Sequence, residues 1–156
     1  MPNVFEGNIE APTGRLAIVV SKYNASISKR LLDGALEALT RHGVLDDAID
    51  VAWVPGAYEI PLVADRMAHS RRYVAVLCLG AVIRGETTHD AHINRAVSLG
   101  LTEIARRSGV PVLFGVLTCD TLEQAIHRSG GNVGNKGTEC AEAALAMVNL
   151  LAKLPA

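Results

Sequence analysis

Residues 74–93 read VAVLCLGAVIRGETTHDAHI, and this stretch decides the fold class. Val74–Leu79 is short, apolar and rich in β-forming residues, which predicts a buried strand that ends at Gly80. A helical pattern then opens on Thr87 and Thr88, both of which are suited to a helix N-terminus. The stretch therefore predicts a strand, a glycine-containing turn and a helix in succession.

The turn itself, Arg84–His89, indicates a function. Free backbone N–H groups and the positive end of the helix dipole favour an anion there, most commonly a phosphate. His89 lies within one helical turn of the same place and is a candidate proton-transfer group. The alternative is an ordinary threonine N-cap followed by a solvent-exposed histidine. The local pattern leaves both interpretations open.

The same unit repeats along the chain, because four apolar runs alternate with helical patterns. The predicted strands are Arg15–Ser21, Ile49–Val54, Val74–Leu79 and Val112–Leu117. The predicted helices cover residues 27–42, 58–70, 88–108 and 122–128, and a last helix follows the kink at 130–137. Strict alternation predicts an α/β fold: a three-layer α/β/α sandwich around a four-stranded parallel sheet, of the flavodoxin-like type. We expect a single domain over residues 1–156, with residues 3–8 as a short N-terminal strand that lacks a partner within the chain.

Composition excludes several classes of protein. The chain has 156 residues, of which 49% are hydrophobic and 20% charged, so it is predicted to be globular. A net charge of −1 gives no basic surface for nucleic acid, and no apolar run is long enough for a membrane span. Three unpatterned cysteines and the lack of a signal peptide predict reduced thiols and a cytoplasmic location.

Polar residues and glycines follow every predicted strand, at the sheet edge where α/β proteins bind ligands. The segments concerned are 21–24, 55–59, 84–89 and 118–120. Tyr23 can offer a flat face to a planar ring, although a tyrosine that covers the core is an equal alternative. His89, His92 and Asp90 are a weak metal-ligand set, and neither a Walker loop nor GxGxxG is present. The residues themselves therefore give little support for a metal site and none for a dinucleotide-binding motif.

Several ordered motifs resemble the 6,7-dimethyl-8-ribityllumazine synthase family of riboflavin biosynthesis, from about residue 4 to residue 150. They are WVPGAYEIP at 53–61, GAVIRGETTH at 80–89, FGVLT at 114–118, EQAIHR at 123–128 and GNKG at 134–137. The resemblance implies a cofactor-free transferase. Such an enzyme joins 5-amino-6-(D-ribitylamino)uracil to 3,4-dihydroxy-2-butanone 4-phosphate, releasing phosphate and water.

The resemblance also implies roles for individual residues. His89 would transfer protons, and Arg128 would join Gly85, Glu86 and Thr87 in binding phosphate. The pyrimidine and ribityl group would contact Tyr23, Ala57, Tyr58, Glu59, Ala81, Val82, Ile83, Phe114 and Lys136. Among these, Phe114, Arg128 and Lys136 would come from a neighbouring subunit.

The chain departs from the family after the histidine. Family members often have an aromatic residue, an acid and another aromatic residue there, whereas this chain has Asp90, Ala91 and His92. The displaced acid supports one alternative, a catalytically weakened shell-forming protein of the same fold. Another alternative, a flavin- or phosphate-binding protein, rests on the architecture alone.

Finally, the resemblance implies an assembly. We expect a homopentamer with active sites shared between adjacent subunits, and the N-terminal strand added to a neighbour's sheet. The kink at 130–137 has the short form associated with shells, so twelve pentamers in a sixty-subunit icosahedron are expected. Riboflavin synthase is a candidate partner enzyme. The apolar stripes of the third and last helices would line ring contacts, or simply pack on their own sheet.

Overall fold

The structure is a computed structural model that describes residues 1–156. Four parallel strands form the main sheet: β1 (Arg15–Ser21), β2 (Ile49–Val54), β3 (Tyr73–Ile83) and β4 (Val112–Cys119). Their spatial order is β2-β1-β3-β4. The chain thus moves outward from β1 to one edge, then returns to the other side of β1. A topological switch point lies between β1 and β3, where open α/β sheets bind ligands.

Five helices cover the two faces of the sheet: α1 (Ala25–Arg41), α2 (Ile60–His69), α3 (His89–Ser108), α4 (Leu122–His127) and α5 (Lys136–Lys153). Strand side chains alternate between faces. Leu16 and Ile18 pack with α1 and α5 in one apolar cluster, while Ala17 and Val19 pack with α2 and α3 in the other. The predicted three-layer α/β/α sandwich with a four-stranded parallel sheet is confirmed.

The predicted end of β3 at Gly80 is wrong. The strand continues to Ile83, and Gly80 pairs with Val116 of β4. A Cβ atom at Gly80 would overlap the hydroxyl oxygen of Ser21 on the adjacent strand. The glycine therefore permits close packing between two strands and does not mark a turn. The other predicted boundaries lie within two residues of those observed.

The kink before the last helix is an ordered hairpin. Its strands are β5 (Ser129–Gly131) and β6 (Gly134–Asn135), which pair antiparallel. The Asn135 side-chain oxygen accepts hydrogen bonds from the backbone N–H groups of Gly137 and Thr138, at 2.8 and 3.2 Å. This N-cap fixes the start of α5 against the hairpin.

Residues 3–8 form no strand within the single chain and lie instead along α5. A Cβ atom at Gly7 would overlap the backbone oxygen of Ala146 in that helix. The Asn149 side-chain amide donates to the carbonyl oxygens of Asn8 and Glu10, at 2.9 and 3.0 Å. Addition of this segment to a neighbour's sheet stays a prediction.

None of the five helices combines the length and the apolar character that crossing a membrane demands.

A polar cluster fastens the edge strand β2 at the end of the sheet remote from the switch point. The Tyr73 hydroxyl and the Arg15 guanidinium each donate a hydrogen bond of 2.6 Å to the Asp50 carboxylate. The Tyr73 bond, followed by the Arg15 bond, lowers the pKa of Asp50 below its ordinary value of 3.8. The ionised carboxylate thus stabilises the folded chain.

We expect this stabilisation to depend on pH in the acid range. Because the folded-state pKa is depressed, the gain is complete above the ordinary value of 3.8 and is lost as the pH falls through the folded value. Replacement of Asp50 by asparagine should therefore lower the denaturation midpoint in urea more at about pH 6 than at about pH 3. Asp46→Asn, at an exposed position, is the control. An equal loss at both pH values would contradict the prediction.

Candidate active site

A cavity of about 620 Å³ opens at the carboxyl ends of β1 and β3, at the switch point. The segments after β1 and β2, the end of β3 and the first two turns of α3 surround it. The lining residues are Tyr23, Asn24, Gly56, Ala57, Tyr58, Glu59, Ala81, Val82, Ile83, His89, His92, Ile93 and Ala96. The cavity brings together eight of the predicted site residues, including His89.

The end of β3 forms the floor of this cavity, where Ala81 and Val82 are buried. Asn24 fixes the loop after β1 to this floor, because its side-chain amide donates to the Ala81 carbonyl at 3.0 Å. Asn24 also has a left-handed backbone, with φ of 61°. The sequence pattern indicated Asn24 as one of the polar residues after β1 but not as a site residue. An asparagine just before a helix is a recognisable signal, since it tolerates this conformation better than most residues.

Two tyrosine rings flank the entrance. Tyr23 is 66% exposed and Tyr58 is 60% exposed, so both rings are accessible for stacking. A Cβ atom at Gly56 would lie 2.7 Å from the Tyr23 ring, which shows that the ring lies directly over this glycine. The structure therefore does not support the alternative in which Tyr23 covers the core.

Glu59 presents one free carboxylate oxygen to the cavity. Its other oxygen accepts a 2.9 Å hydrogen bond from the backbone N–H of Gly56. This bond closes the 3-10 turn Ala57–Glu59 that precedes α2. A carboxylate held in this way is suited to accept hydrogen bonds from hydroxyl groups.

The loop between β3 and α3 borders a second, smaller cavity of about 290 Å³, the loop cavity. It is lined by Arg84, Glu86, Thr87, Thr88, Asp90, Ala91 and Asp120. Gly85 has no neighbouring atom within 4 Å of a Cβ position, so its backbone is open. The Thr87 hydroxyl accepts a 3.3 Å hydrogen bond from the His89 backbone N–H. Three acidic side chains and one arginine make the surroundings of this helix N-terminus acidic.

A third cavity of about 400 Å³, the β4-edge cavity, holds the remaining predicted residues. Phe114 on β4, Arg128 after α4 and Lys136 at the start of α5 line it together. The Arg128 guanidinium makes one long hydrogen bond of 3.4 Å, to the Gln124 carbonyl, and the residue is exposed. Within one chain, these three side chains do not line the cavity that contains His89.

The cysteines offer no nucleophile. Cys78, Cys119 and Cys140 are free and buried. Burial raises the pKa of all three thiols, that of Cys140 to about 12, so they stay protonated. No three His, Cys, Asp or Glu side chains are placed to hold a metal ion.

A family model described as 6,7-dimethyl-8-ribityllumazine synthase matches residues 13–152. The chain belongs to the 6,7-dimethyl-8-ribityllumazine synthase family. A similar relative is the 6,7-dimethyl-8-ribityllumazine synthase of Desulfotalea psychrophila (strain LSv54 / DSM 12343). The two sequences are 54% identical over 151 residues, which cover 97% of each chain.

The residues predicted from the lumazine synthase resemblance are distributed over three cavities of the single chain. Eight predicted residues line the 620 Å³ cavity, Glu86 and Thr87 line the loop cavity, and three predicted residues line the β4-edge cavity. The residues of the 620 Å³ cavity that sequence reasoning missed are Asn24, Gly56, His92, Ile93 and Ala96. Helical periodicity could have indicated His92, Ile93 and Ala96, since residues 89, 92, 93 and 96 share one helix face.

Proposed function

We propose that the 620 Å³ cavity is the place where this chain condenses its two substrates. The chain is a transferase of riboflavin biosynthesis: it joins 5-amino-6-(D-ribitylamino)uracil to 3,4-dihydroxy-2-butanone 4-phosphate, giving 6,7-dimethyl-8-ribityllumazine, phosphate and water. The observation that carries the proposed site is the convergence of Tyr23, Glu59 and His89 on one cavity at the switch point.

The uracil substrate occupies the part of the cavity near β1 and β3. The accessible ring of Tyr23 stacks on the pyrimidine, and the end of β3 (81–83) contacts its edge. Ala57 and Tyr58 contact the ribityl chain, and the free oxygen of Glu59 accepts hydrogen bonds from its hydroxyl groups.

The phosphate of the second substrate binds at Gly85, Glu86 and Thr87, at the N-terminus of α3. Backbone N–H groups and the helix dipole favour an anion there. The side chains around the loop do not, because Glu86, Asp90 and Asp120 oppose the single guanidinium of Arg84. The missing positive charge comes from Arg128 of a neighbouring subunit, which brings Phe114 and Lys136 with it.

The chain assembles as a homopentamer with shared active sites, and twelve pentamers form a sixty-subunit shell. The edge strand β2 leaves Val51 and Trp53 partly exposed, and residues 3–8 of a neighbour add to this edge. Leu99 on α3 is 62% exposed, which supports a subunit contact for that helix. Met147 and Leu151 of α5 are also exposed, whereas Cys140 and Ala144 pack on the chain's own sheet.

Proximity supplies most of the catalysis. The amine of the uracil attacks the ketone to give an imine, phosphate is eliminated, the side chain rotates, and the ring closes with loss of water. Because the amine is already nucleophilic, most of the rate comes from holding both reactants in one cavity. His89 transfers protons beside the phosphate turn and contributes about 100-fold or less.

Three further features belong to the same proposal. Residues 1–156 act as a single domain, with one core on each face of one sheet. The protein works in the cytoplasm, where buried free thiols such as those of this chain persist. Riboflavin synthase, which uses the lumazine product, is the partner enzyme.

The reaction is tested by mixing purified protein with both substrates and following lumazine absorbance. We expect product well above the spontaneous background. Turnover at the background rate, with a substrate analogue still bound, would favour a catalytically weakened shell protein. Tight flavin binding without lumazine formation would favour a flavin-binding protein.

The shared site is tested by co-expressing two impaired variants, His89→Gln and Arg128→Ala, and assaying them at a low concentration of the butanone phosphate. If these residues meet across a subunit boundary, random mixing leaves about a quarter of the sites with both natural residues, and the rate rises above that of either variant. Mixtures as slow as either variant would show that both residues serve from one chain. Light scattering gives the size: a sole pentamer would reject the shell, and a monomer would also reject the shared site.

A further inference from the structure

A second histidine lines the 620 Å³ cavity and has no part in the chemistry described so far. His92 follows His89 by three residues on α3, and both side chains line the cavity. A helical rise of 1.5 Å per residue places them about 4.5 Å apart along the helix axis, on nearly the same face. His92 therefore lies further along α3 from the loop that starts at Arg84 than His89 does.

Asp90 faces a different cavity. It lines the loop cavity together with Arg84 and Asp120, and it does not line the cavity of the two histidines. The other ionisable groups that line the cavity of His92 are Tyr23, Tyr58 and Glu59, together with His89 on the same helix. Among these side-chain types, imidazole alone commonly both gives and takes a proton near neutral pH.

The reaction requires proton transfer at two separated places. Phosphate departs beside the loop, next to His89. Ring closure joins the ribitylamino nitrogen to the remaining carbonyl group after the side chain has rotated away from that loop. The second event therefore takes place further from the loop, about one helical turn along α3.

We propose that His92 is a second catalytic residue, the proton donor for the release of water at ring closure. Its imidazolium gives a proton to the hydroxyl group of the cyclic carbinolamine. The C–O bond breaks, its electron pair stays on oxygen, and water leaves. The resulting cation then loses a proton to the neutral imidazole, which restores the imidazolium. This inference rests on the active site proposed above.

The test follows lumazine absorbance and phosphate release separately in a single turnover with enzyme in excess. In His92→Gln, lumazine absorbance should appear about tenfold more slowly, while phosphate release stays within about twofold of the natural rate. His89→Gln should slow both signals, because phosphate loss precedes ring closure. His69→Gln on α2, outside the cavity, should slow neither.

A pH series distinguishes proton donation from a structural effect. Since the imidazolium is the donor, the ring-closure rate should fall as the pH rises, and this fall should disappear in His92→Gln. It should persist in His69→Gln, where His89, Glu59 and both tyrosines are also intact. Added imidazole should restore ring closure in His92→Ala.

Two results would overturn the inference. One is an equal slowing of both signals in His92→Gln, and the other is no slowing of either. If His89→Gln still lowers the rate in these cases, the proposed active site stands without His92. If neither histidine variant is slowed, the proton-transfer role proposed for His89 is wrong as well.

Discussion

Replacement of Arg128 by alanine is expected to raise the KM for 3,4-dihydroxy-2-butanone 4-phosphate by about 100-fold. Losses of this size are typical when one partner of a charged hydrogen-bonded pair is removed. The guanidinium of Arg128 is exposed and makes only one long hydrogen bond within its own chain, so most of its donors are free for a phosphate. The receiving loop has more acidic than basic side chains, which makes the loss of this cation costly. The KM for the uracil substrate should change by less than about threefold.

Two variants refine this result. Arg128→Lys keeps the charge but loses the planar pair of donors, so an intermediate loss of about tenfold is expected. Arg41→Ala, an exposed arginine at the end of α1, is the matched control and should leave both KM values unchanged. An equal rise in both KM values for Arg128→Ala would show that the arginine has no specific role at the phosphate.

Replacement of Gly137 by alanine is expected to destabilise the fold by about 3 kcal/mol, at the upper end of overpacking effects. A Cβ atom at this position would overlap the carbonyl oxygen of Leu31 and lie 2.7 Å from its carbonyl carbon. Both neighbours are backbone atoms of α1, so no side-chain rotation relieves the contact. The gain of about 1 kcal/mol in helix propensity is too small to offset this.

Urea denaturation monitored by circular dichroism measures the effect. Gly85→Ala is the control, because a Cβ atom there meets nothing within 4 Å, and its stability should stay within about 0.5 kcal/mol of the natural chain. A loss below about 1 kcal/mol for Gly137→Ala would show that α1 and α5 can separate at little cost.

Local patterns in the sequence were enough to predict the layers of this fold. Each predicted strand of the main sheet and each predicted helix appears in the structure, because apolar periodicity and the alternation of strands with helices are properties of short segments. The short strand predicted at residues 3–8 does not form within the single chain. The end of β3 was missed for the same reason. Gly80 resembles a turn residue locally, and only the approach of Ser21 from the neighbouring strand shows that it serves packing.

The candidate site could likewise be predicted only in part from the sequence. The sequence indicated which residue types gather at the carboxyl ends of the strands, and eight of them line one cavity. It could not indicate which cavity each side chain enters. His89 and Asp90 are adjacent in sequence yet face different cavities, because the helix turns by 100° per residue.

The sequence by itself thus determined the order of elements, the parallel sheet and the set of chemically active residues. The tertiary structure decided the directions of the side chains. It placed His92 beside His89, turned Asp90 away, and put Arg128 in a separate cavity at the edge of β4. The physical reason is that periodicity is set by neighbours along the chain, whereas a cavity is formed by strands and helices that are distant in sequence and meet only when the sheet is assembled.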